Sequence, residues 1–388
     1  MTSLFDRCLR KFAIAAAGTF ARLKFNTHRI ITDEPPQGAL ILCNHTMLWD
    51  FSNLLWAMFP RSDQHFLATN VVYDKNRFIS WLFRHLGIIR KNQGVTDLGS
   101  LKNMIKTSRE GGTLVIYAAG MLSFDGREAV RHLPGTGSLP RILKTDVYAA
   151  VTHGGFLTSP RYSHKMARGR LDIELKRLYT AEEASKLSAE EMQKGIEDAL
   201  SFNDWDWQEK NRVPFKRIRN VSRLSRVLYM CPACRREGVM LEEKHALRCD
   251  NCGLVATRDR YGFFSSENEA CPSRMDRWVD LEIDEIRKQL ASNDFAMQAR
   301  VVLYERMQNG SGDIRCAGVG ELTMTKDGIY FAGEKEQREF KYSAFRFLVL
   351  DDIKSLIINT DKMNYRFEFE DPKLVTKWFF VHRTMEDL

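Results

Sequence analysis

The sequence predicts an α/β domain, a mostly parallel sheet flanked by helices, followed by a four-cysteine ribbon and a small β-rich C-terminal domain. Three observations carry this reading. Short apolar runs alternate with amphipathic stretches between Gly38 and Thr152, the pattern of strands joined by crossover helices. Two Cys-x-x-Cys pairs, Cys231 with Cys234 and Cys249 with Cys252, are separated by fourteen residues. From Ala299 onward the apolar period drops to two and turn signals recur, as antiparallel strands require.

The elements follow in order. Residues 3–24 read as an amphipathic helix, with Phe5, Cys8, Leu9, Phe12, Ala16 and Phe20 at helical spacing among basic residues. Residues 38–43 read as a buried strand, and 51–59 as a helix ended by Pro60. A strand over 65–69 is followed by a helix over 78–86 that closes at Gly87. A further helix, 97–109, closes at Gly111-Gly112, and strands are expected at 113–117 and 147–152. Thr180-Ala-Glu-Glu183 and Ser188-Ala-Glu-Glu191 are capping-box signatures that open helices within 180–200. The basic stretch from Lys210 to Arg226 reads as a linker, and 273–297 as a connecting helix. Asn309-Gly310 and Asp327-Gly328 mark turns, and a last helix spans 372–385. The expected divisions are an amphipathic surface helix over 1–25, the α/β domain over 26–220 and the ribbon over 226–262. A helical connector over 263–298 and the β-rich domain over 299–388 complete the chain.

The 388 residues exceed one ordinary core, since about 150 residues per domain is the usual scale. The net charge of +8 suits an anionic partner: nucleic acid, an acidic membrane surface or a phosphorylated substrate. Cations cluster at Arg7, Arg10, Lys11, Arg22, Lys24 and Arg29, where Asp6 is the one acid, and again from Arg212 to Arg226. The eight cysteines do not form the dense framework of a small secreted domain, which favours a reducing cytoplasmic compartment. The apolar run Phe12 to Phe20, between Lys11 and Arg22, is far shorter than the ~20 residues a span needs. An amphipathic helix rich in cations instead suits peripheral attachment to an anionic lipid surface, the inner face of the cell membrane. The plainer alternative is a first helix packed on its own domain.

Chemistry concentrates in Asn44-His45-Thr-Met-Leu-Trp-Asp50. The strand ending at Cys43 delivers Asn44 and His45 to its carboxyl end, where ligands bind in α/β sheets. Asp50 stands at the start of the next helix, so the loop can fold its carboxylate back onto the imidazole. A carboxylate on one ring nitrogen fixes the tautomer and makes the other a general base for a hydroxyl. Two plainer readings stay open: Asp50 as a helix N-cap, and His45 as a satisfied core histidine.

Asn-His-x4-Asp before a helix resembles the first motif of the glycerolipid acyltransferase superfamily, of the 1-acyl-sn-glycerol-3-phosphate acyltransferase type. Leu86-Gly-Ile-Ile-Arg-Lys-Asn92 is similar to its second motif, and Leu114 to Ser123 with Phe124-Asp125-Gly126 resembles the third. Val147-Tyr-Ala-Ala-Val-Thr152 sits where the fourth belongs. The likeness covers roughly residues 30–220, and Asn203-Asp204-Trp205-Asp206 with the following ribbon looks like one branch of the superfamily. It implies His45 as general base oriented by Asp50. The donor would be acyl-CoA or acyl-carrier protein, and the acceptor a lysophosphatidic-acid-like membrane lipid. Arg90 or Lys91 would hold the acceptor phosphate, and backbone N–H groups near Gly120 would stabilise the oxyanion. Asn44, Ser123 and Arg161 complete the expected substrate-binding set. The sequence departs from the third motif, with Ala119 at the usual glutamate and Leu122 at the usual arginine. Arg127, Arg131 or Arg161 could replace the lost contact. Acylation of another lipid or glycan hydroxyl, or a non-enzymatic lipid- or nucleic-acid-binding role, are the alternatives.

Cys231, Cys234, Cys249 and Cys252 match the spacing of a four-thiolate zinc site. Two disulfides are the alternative in an oxidising compartment. A closed set leaves no open position for substrate, so the Zn2+ is expected to be structural, with His245 outside the ligand set. A basic ribbon with Tyr229, Phe263 and Phe264 could stack on bases. The acyltransferase motifs have no role in that reading, so nucleic acid is not the expected partner. The β-rich tail with its last helix resembles a PH- or GRAM-like domain.

Overall fold

The computed structural model describes residues 4–73, 76–92, 97–128, 135–307, 314–345, 348–360 and 362–387. Arg131 and the turn at Asn309-Gly310 lie outside them. The chain forms two compact units: Met1–Lys91 with Asp97–Ile218, and Asn92–Thr96 with Arg219–Leu388.

The first unit opens with α1 (Leu4–Phe25), β1 (Thr27–Ile31), β2 (Leu40–Cys43), α2 (Asp50–Ala57) and β3 (Gln64–Thr69). It continues through α3 (Asn70–Tyr73), α4 (Arg77–His85), β4 (Ile89–Lys91), α5 (Leu98–Arg109), β5 (Thr113–Tyr117) and α6 (Leu139–Leu143). It closes with β6 (Val147–His153), α7 (Gly155–Thr158), β7 (Leu171–Tyr179), α8 (Ala181–Lys186), α9 (Ala189–Leu200) and α10 (Asp204–Asn211). The strands form one sheet in the order β1-β7-β6-β2-β5-β3-β4. Every neighbouring pair is parallel except β6 with β7.

Strand side chains alternate between faces, and the core divides accordingly. Leu40, Leu42, Leu114, Ile116, Val147 and Ala149 join one cluster with Met104 of α5, Ala184 of α8 and Ile196 of α9. Ile41, Cys43, Val115, Tyr148 and Ala150 join another with Leu54 and Ala57 of α2. Helices therefore cover both faces, which is why these strands read as continuous apolar runs. Both capping boxes form, at Thr180 with Glu183 and at Ser188 with Glu191.

Helix α1 is two-faced. Ile14, Gly18, Ala21 and Phe25 are buried, and Ala21 and Phe25 meet Met47 of the loop before α2. Gly18 permits the approach, because a Cβ there would lie 3.5 Å from the Trp56 backbone. The expected stripe lies on the other side, and Phe5, Phe12 and Phe20 are exposed. Among the described residues no helix is long and apolar enough to cross a membrane.

The second unit contains a four-stranded antiparallel sheet, β8 (Met240–Glu242), β9 (Ala246–Cys249), β10 (Val255–Arg258) and β11 (Phe264–Ser265), then α11 (Met275–Leu290). Seven antiparallel strands follow: β12 (Ala296–Met307), β13 (Arg315–Thr325), β14 (Gly328–Gly333), β15 (Gln337–Lys341), β16 (Leu348–Asp351), β17 (Ser355–Asn359) and β18 (Met363–Phe369). Their order is β15-β14-β13-β12-β18-β17-β16. The closing helix α12 (Val375–Asp387) buries Val375, Trp378 and Phe379, and Trp378 meets Phe369 edge-on at 5.4 Å.

Several expectations change here. The stretch over 210–226 is not a free linker, because Val213, Phe215, Ile218, Val221 and Leu224 are buried between its cations. The segments expected as ribbon, connector and β-rich domain fall within one compact unit. The connector is a packed helix: Trp278 Nε1 of α11 donates to Met230 O at 2.8 Å, and fully buried Glu282 accepts from Met230 N at 3.0 Å. The ribbon sheet extends to Ser265, and the β-rich part begins at Ala296. Tyr229, Phe263 and Phe264 are all buried. They supply the small ribbon with a core and present no stacking surface for bases.

Candidate active site

His45 follows β2 directly, and its Nδ1 lies 2.9 Å from Asp50 Oδ2. Asp50 is the first residue of α2, not its cap; Trp49 takes the cap position without a side-chain hydrogen bond. The carboxylate serves the loop instead. Its Oδ2 also accepts from Thr46 N at 2.7 Å and Met47 N at 3.0 Å, and its Oδ1 accepts from Thr46 Oγ1 at 2.9 Å. Asp50 is buried, whereas the His45 side chain is 22% exposed. With Nδ1–H donating to Asp50, Nε2 is the nitrogen with a free lone pair. Tyr117, at the end of β5, stacks beneath the imidazole, with ring centroids 4.4 Å apart and planes at 26°. Burial pushes the Tyr117 phenol well above its ordinary range, so it stays neutral.

Asn44 holds the strand ends together. Its Nδ2 donates to Thr152 O at 2.9 Å, and its Oδ1 accepts from Thr152 N at 2.8 Å. Both amide groups are thus engaged between β2 and β6, and the buried side chain positions His45 where a substrate contact was expected.

The loop after β5 is tied to His45. Ala118 N donates to Cys43 O at 3.1 Å, and Ser123 N donates to His45 O at 3.0 Å. Ser123 Oγ donates to Arg127 O at 2.6 Å and accepts from Gly126 N at 3.0 Å. Ser123 is buried, and these bonds fix the loop. Gly120 has φ +65°, and its N–H donates to Tyr117 O at 3.1 Å. That turn bond engages the Gly120 N–H itself, among the backbone groups near Gly120 expected for an oxyanion.

The basic candidates divide. Arg161 places its guanidinium over the Phe124 ring, 5.1 Å from the centroid, beside this loop. Arg127 pairs with Asp125 at 2.6 Å. Arg90 and Lys91 lie on β4, opposite Ala68 and Thr69 of β3. The sheet order puts β4 three strands from β2, roughly 14 Å at the usual spacing, a gap that long side chains shorten. Burial lowers the Lys91 pKa from the ordinary lysine value, while Asp97 opposes the shift.

Sequence reasoning gave no role to Tyr117 or to Asn203-Asp204-Trp205. Asp204 is fully buried and accepts from Gly154 N at 2.9 Å and Phe156 N at 3.0 Å. Its own N–H donates to Gly126 O at 2.8 Å, and Trp205 Nε1 donates to Asp125 O. Burial pushes the Asp204 carboxyl up to about 7, against the pull of the two backbone donors. This short stretch braces both loops that flank His45. The signal was the Asn-Asp-Trp run itself, an N-cap followed by a buried acid and a tryptophan.

The brace makes Gly155 sensitive. A Cβ there would lie 2.0 Å from Thr46 Oγ1, which holds Asp50 Oδ1. Gly155→Ala is expected to displace Thr46 and lower kcat at least about tenfold, since small misplacements of catalytic groups cost that much or more. Steady-state kinetics beside thermal unfolding checks this. A wild-type kcat would show that the loop absorbs the methyl.

Residues 25–151 match the family described as Acyltransferase, a span that holds His45, Asp50 and the loop after β5. The first unit therefore contains a segment that matches the acyltransferase family. The match takes in the motifs from Asn44 to Val151 that carry the likeness to the glycerolipid acyltransferases. Among solved structures it is similar to the 1-acyl-sn-glycerophosphate (LPA) acyltransferase, PlsC, from Thermotoga maritima. The identity is 17% and the TM-score 0.42, over 52% of this chain and 80% of that one. No curated protein matches the chain.

The four ribbon cysteines come together. All four sulfurs lie within 4.8 Å of one another. Cys231 to Cys252 is 3.6 Å and Cys234 to Cys249 is 3.7 Å. Sulfurs on a tetrahedral ion at ~2.3 Å stand roughly 3.8 Å apart, so the cluster fits a four-coordinate metal. Cys252 N points at Cys249 Sγ at 3.4 Å, the kind of backbone donor that stabilises a bound thiolate. His245 is outside the cluster.

Proposed function

We propose that this acyltransferase moves a fatty acyl group from acyl-CoA or acyl-carrier protein to the hydroxyl of a lysophosphatidic-acid-like glycerolipid at a membrane surface. The observation that carries the reading is the 2.9 Å contact of His45 Nδ1 with buried Asp50 at the carboxyl end of β2. His45 Nε2 takes the proton from the acceptor hydroxyl as its oxygen attacks the thioester carbonyl. A C–O bond forms and a tetrahedral oxyanion appears. On collapse the C–S bond breaks, and the leaving thiolate takes the proton back from the imidazolium. Asp50 holds Nδ1 protonated and stabilises the imidazolium. The backbone N–H groups of Ala119 and Met121, beside the engaged Gly120, are the oxyanion candidates.

Arg90 or Lys91 would hold the acceptor phosphate, with Arg161 as the next candidate. Ala119 and Leu122 favour a second reading, in which the acceptor is another lipid or glycan hydroxyl with no anion at the third motif. A product-resolved assay of purified protein separates them, offering several acceptors with each donor type. Turnover confined to acceptors without a phosphate would overturn the first reading. The four cysteines would hold a structural Zn2+, and the seven strands with α12 support a PH- or GRAM-like reading of the tail.

The exposed stripe of α1 would bring the enzyme to anionic lipid. Deleting α1 would strip the cover from Met47, so point substitutions test this better. Phe5→Ser with Phe12→Ser is expected to weaken vesicle binding more than about tenfold, since each buried aromatic contributes roughly 1.5–3 kcal/mol. Co-sedimentation with phosphatidylglycerol-containing vesicles reads the effect. Unchanged binding would leave α1 as a packing helix.

A further inference from the structure

Helix α4 has an arrangement that the catalytic reading does not use. None of its nine residues is buried. Phe78 is 64% and Trp81 41% exposed, and their rings stack at 6.0 Å. Arg77, Trp81 and Arg84 recur at helical spacing, so the two cations flank the indole on one face. Neither arginine has an ion-pair partner among the described residues. With Asn76 and Ser80 these three line a recess of about 430 Å3. The inner side of α4 is held by Phe83 edge-on to Tyr73. Helix α1 adjoins it: Phe5 meets Trp81 at 6.4 Å, and Asp6 pairs with His85 at 2.6 Å. The exposed aromatics of the two helices therefore form one patch, with Arg77 and Arg84 at its edge.

An exposed tryptophan flanked by the guanidinium groups of two exposed arginines combines an amphipathic ring with positive charge, a pairing matched to one environment. The indole suits the boundary between acyl chains and headgroups, and arginine suits bidentate contact with phosphate. We propose that α4 is a second interfacial helix, seated in the headgroup layer of an anionic bilayer with a lipid phosphate between Arg77 and Arg84. The proposal deepens the membrane-surface reading of α1 and rests on it. Together the helices would set the orientation in which the domain meets the bilayer.

The test uses the full-length protein and vesicles of phosphatidylcholine with or without phosphatidylglycerol. Arg77→Gln with Arg84→Gln is expected to weaken binding to the anionic vesicles roughly 30-fold, about fivefold per cation removed, and to leave the weak binding to neutral vesicles unchanged. Trp81→Phe is expected to remove a measurable share of the fluorescence quenching by brominated lipid, which reports depth independently of affinity. Activity on a soluble short-chain acceptor should stay at the wild-type level. Affinity within twofold of wild type, or quenching unaltered in Trp81→Phe, overturns the proposal. If Phe5→Ser with Phe12→Ser also binds normally, the reading of α1 falls with it. If that variant fails to bind while the arginine variant binds normally, only the role of α4 is lost. Loss of soluble activity in the arginine variant would instead assign these residues to the reaction and overturn the proposal.

Discussion

His45→Ala is expected to lower kcat by about 10²- to 10⁴-fold, the usual contribution of a positioned general base, with little change in melting temperature. The ring is partly exposed and its contacts are Asp50 and the face of Tyr117, so its removal leaves no large cavity. Turnover within a few-fold of wild type would remove the proposed mechanism. Asp50→Asn should separate orientation from packing. The carboxylate accepts from three N–H groups and one hydroxyl on its two oxygens. An amide has one acceptor oxygen, so its NH2 must face either Thr46 Oγ1 or the cluster of donors at His45 Nδ1. Facing the donors, it would leave buried N–H groups unpaired, at about 1–3 kcal/mol each, and His45 would lose the tautomer it needs. Kinetics normalised to folded protein decide the matter: a stability loss with normal turnover would make Asp50 a loop anchor alone.

The contact between His45 and Asp50 was legible because its signal is local. An apolar strand, a His-x4-Asp spacing and a helix start all lie within eleven residues, from Leu40 to Asp50. The capping boxes at Thr180 and Ser188 were legible for the same reason. Strand β7 was not assigned, although Leu171, Ile173 and Leu175 alternate and are buried. Its partner β1 is distant in sequence, and its antiparallel pairing with β6 breaks the βαβ pattern. The stretch over 210–226 misled because its cations are dense, while Val213, Phe215, Ile218 and Leu224 sit between them on the buried side. The polar groups of Asn44, Gly120 and Ser123, expected at the substrate, have protein partners in the structure. Their motif positions were informative, but which partner each polar group takes depends on how loops after β2, β5 and β6 converge. Those groups hold the loops to each other, Asp204 does the same through Gly126, Gly154 and Phe156, and Tyr117 stacks on His45.

Freshly purified, reduced protein is expected to carry about one zinc per chain, and removal of it should unfold the second unit selectively. Metal binding in small four-ligand sites supplies apparent free energies of about 10–16 kcal/mol at neutral pH, more than a short four-stranded sheet can replace. The damage should spread beyond the ribbon. Met230, next to Cys231, gives its N–H to Glu282 and its carbonyl to Trp278, and Glu237 between the cysteine pairs holds Lys377 of α12 at 2.6 Å. Loss of the ribbon therefore leaves a buried carboxyl and a buried indole N–H unpaired in α11. Cys249→Ser should lower protection in this unit alone, so hydrogen exchange over 228–290 should rise while exchange in β2, β5 and β6 stays slow. Because the ligands must be thiolates, the same transition should appear as pH falls, with release of zinc to a colorimetric chelator. Protein that contains no zinc when reduced, or a Cys249→Ser variant whose exchange matches wild type over 228–290, would show that the four sulfurs meet without a metal and that the ribbon is held by its buried aromatics.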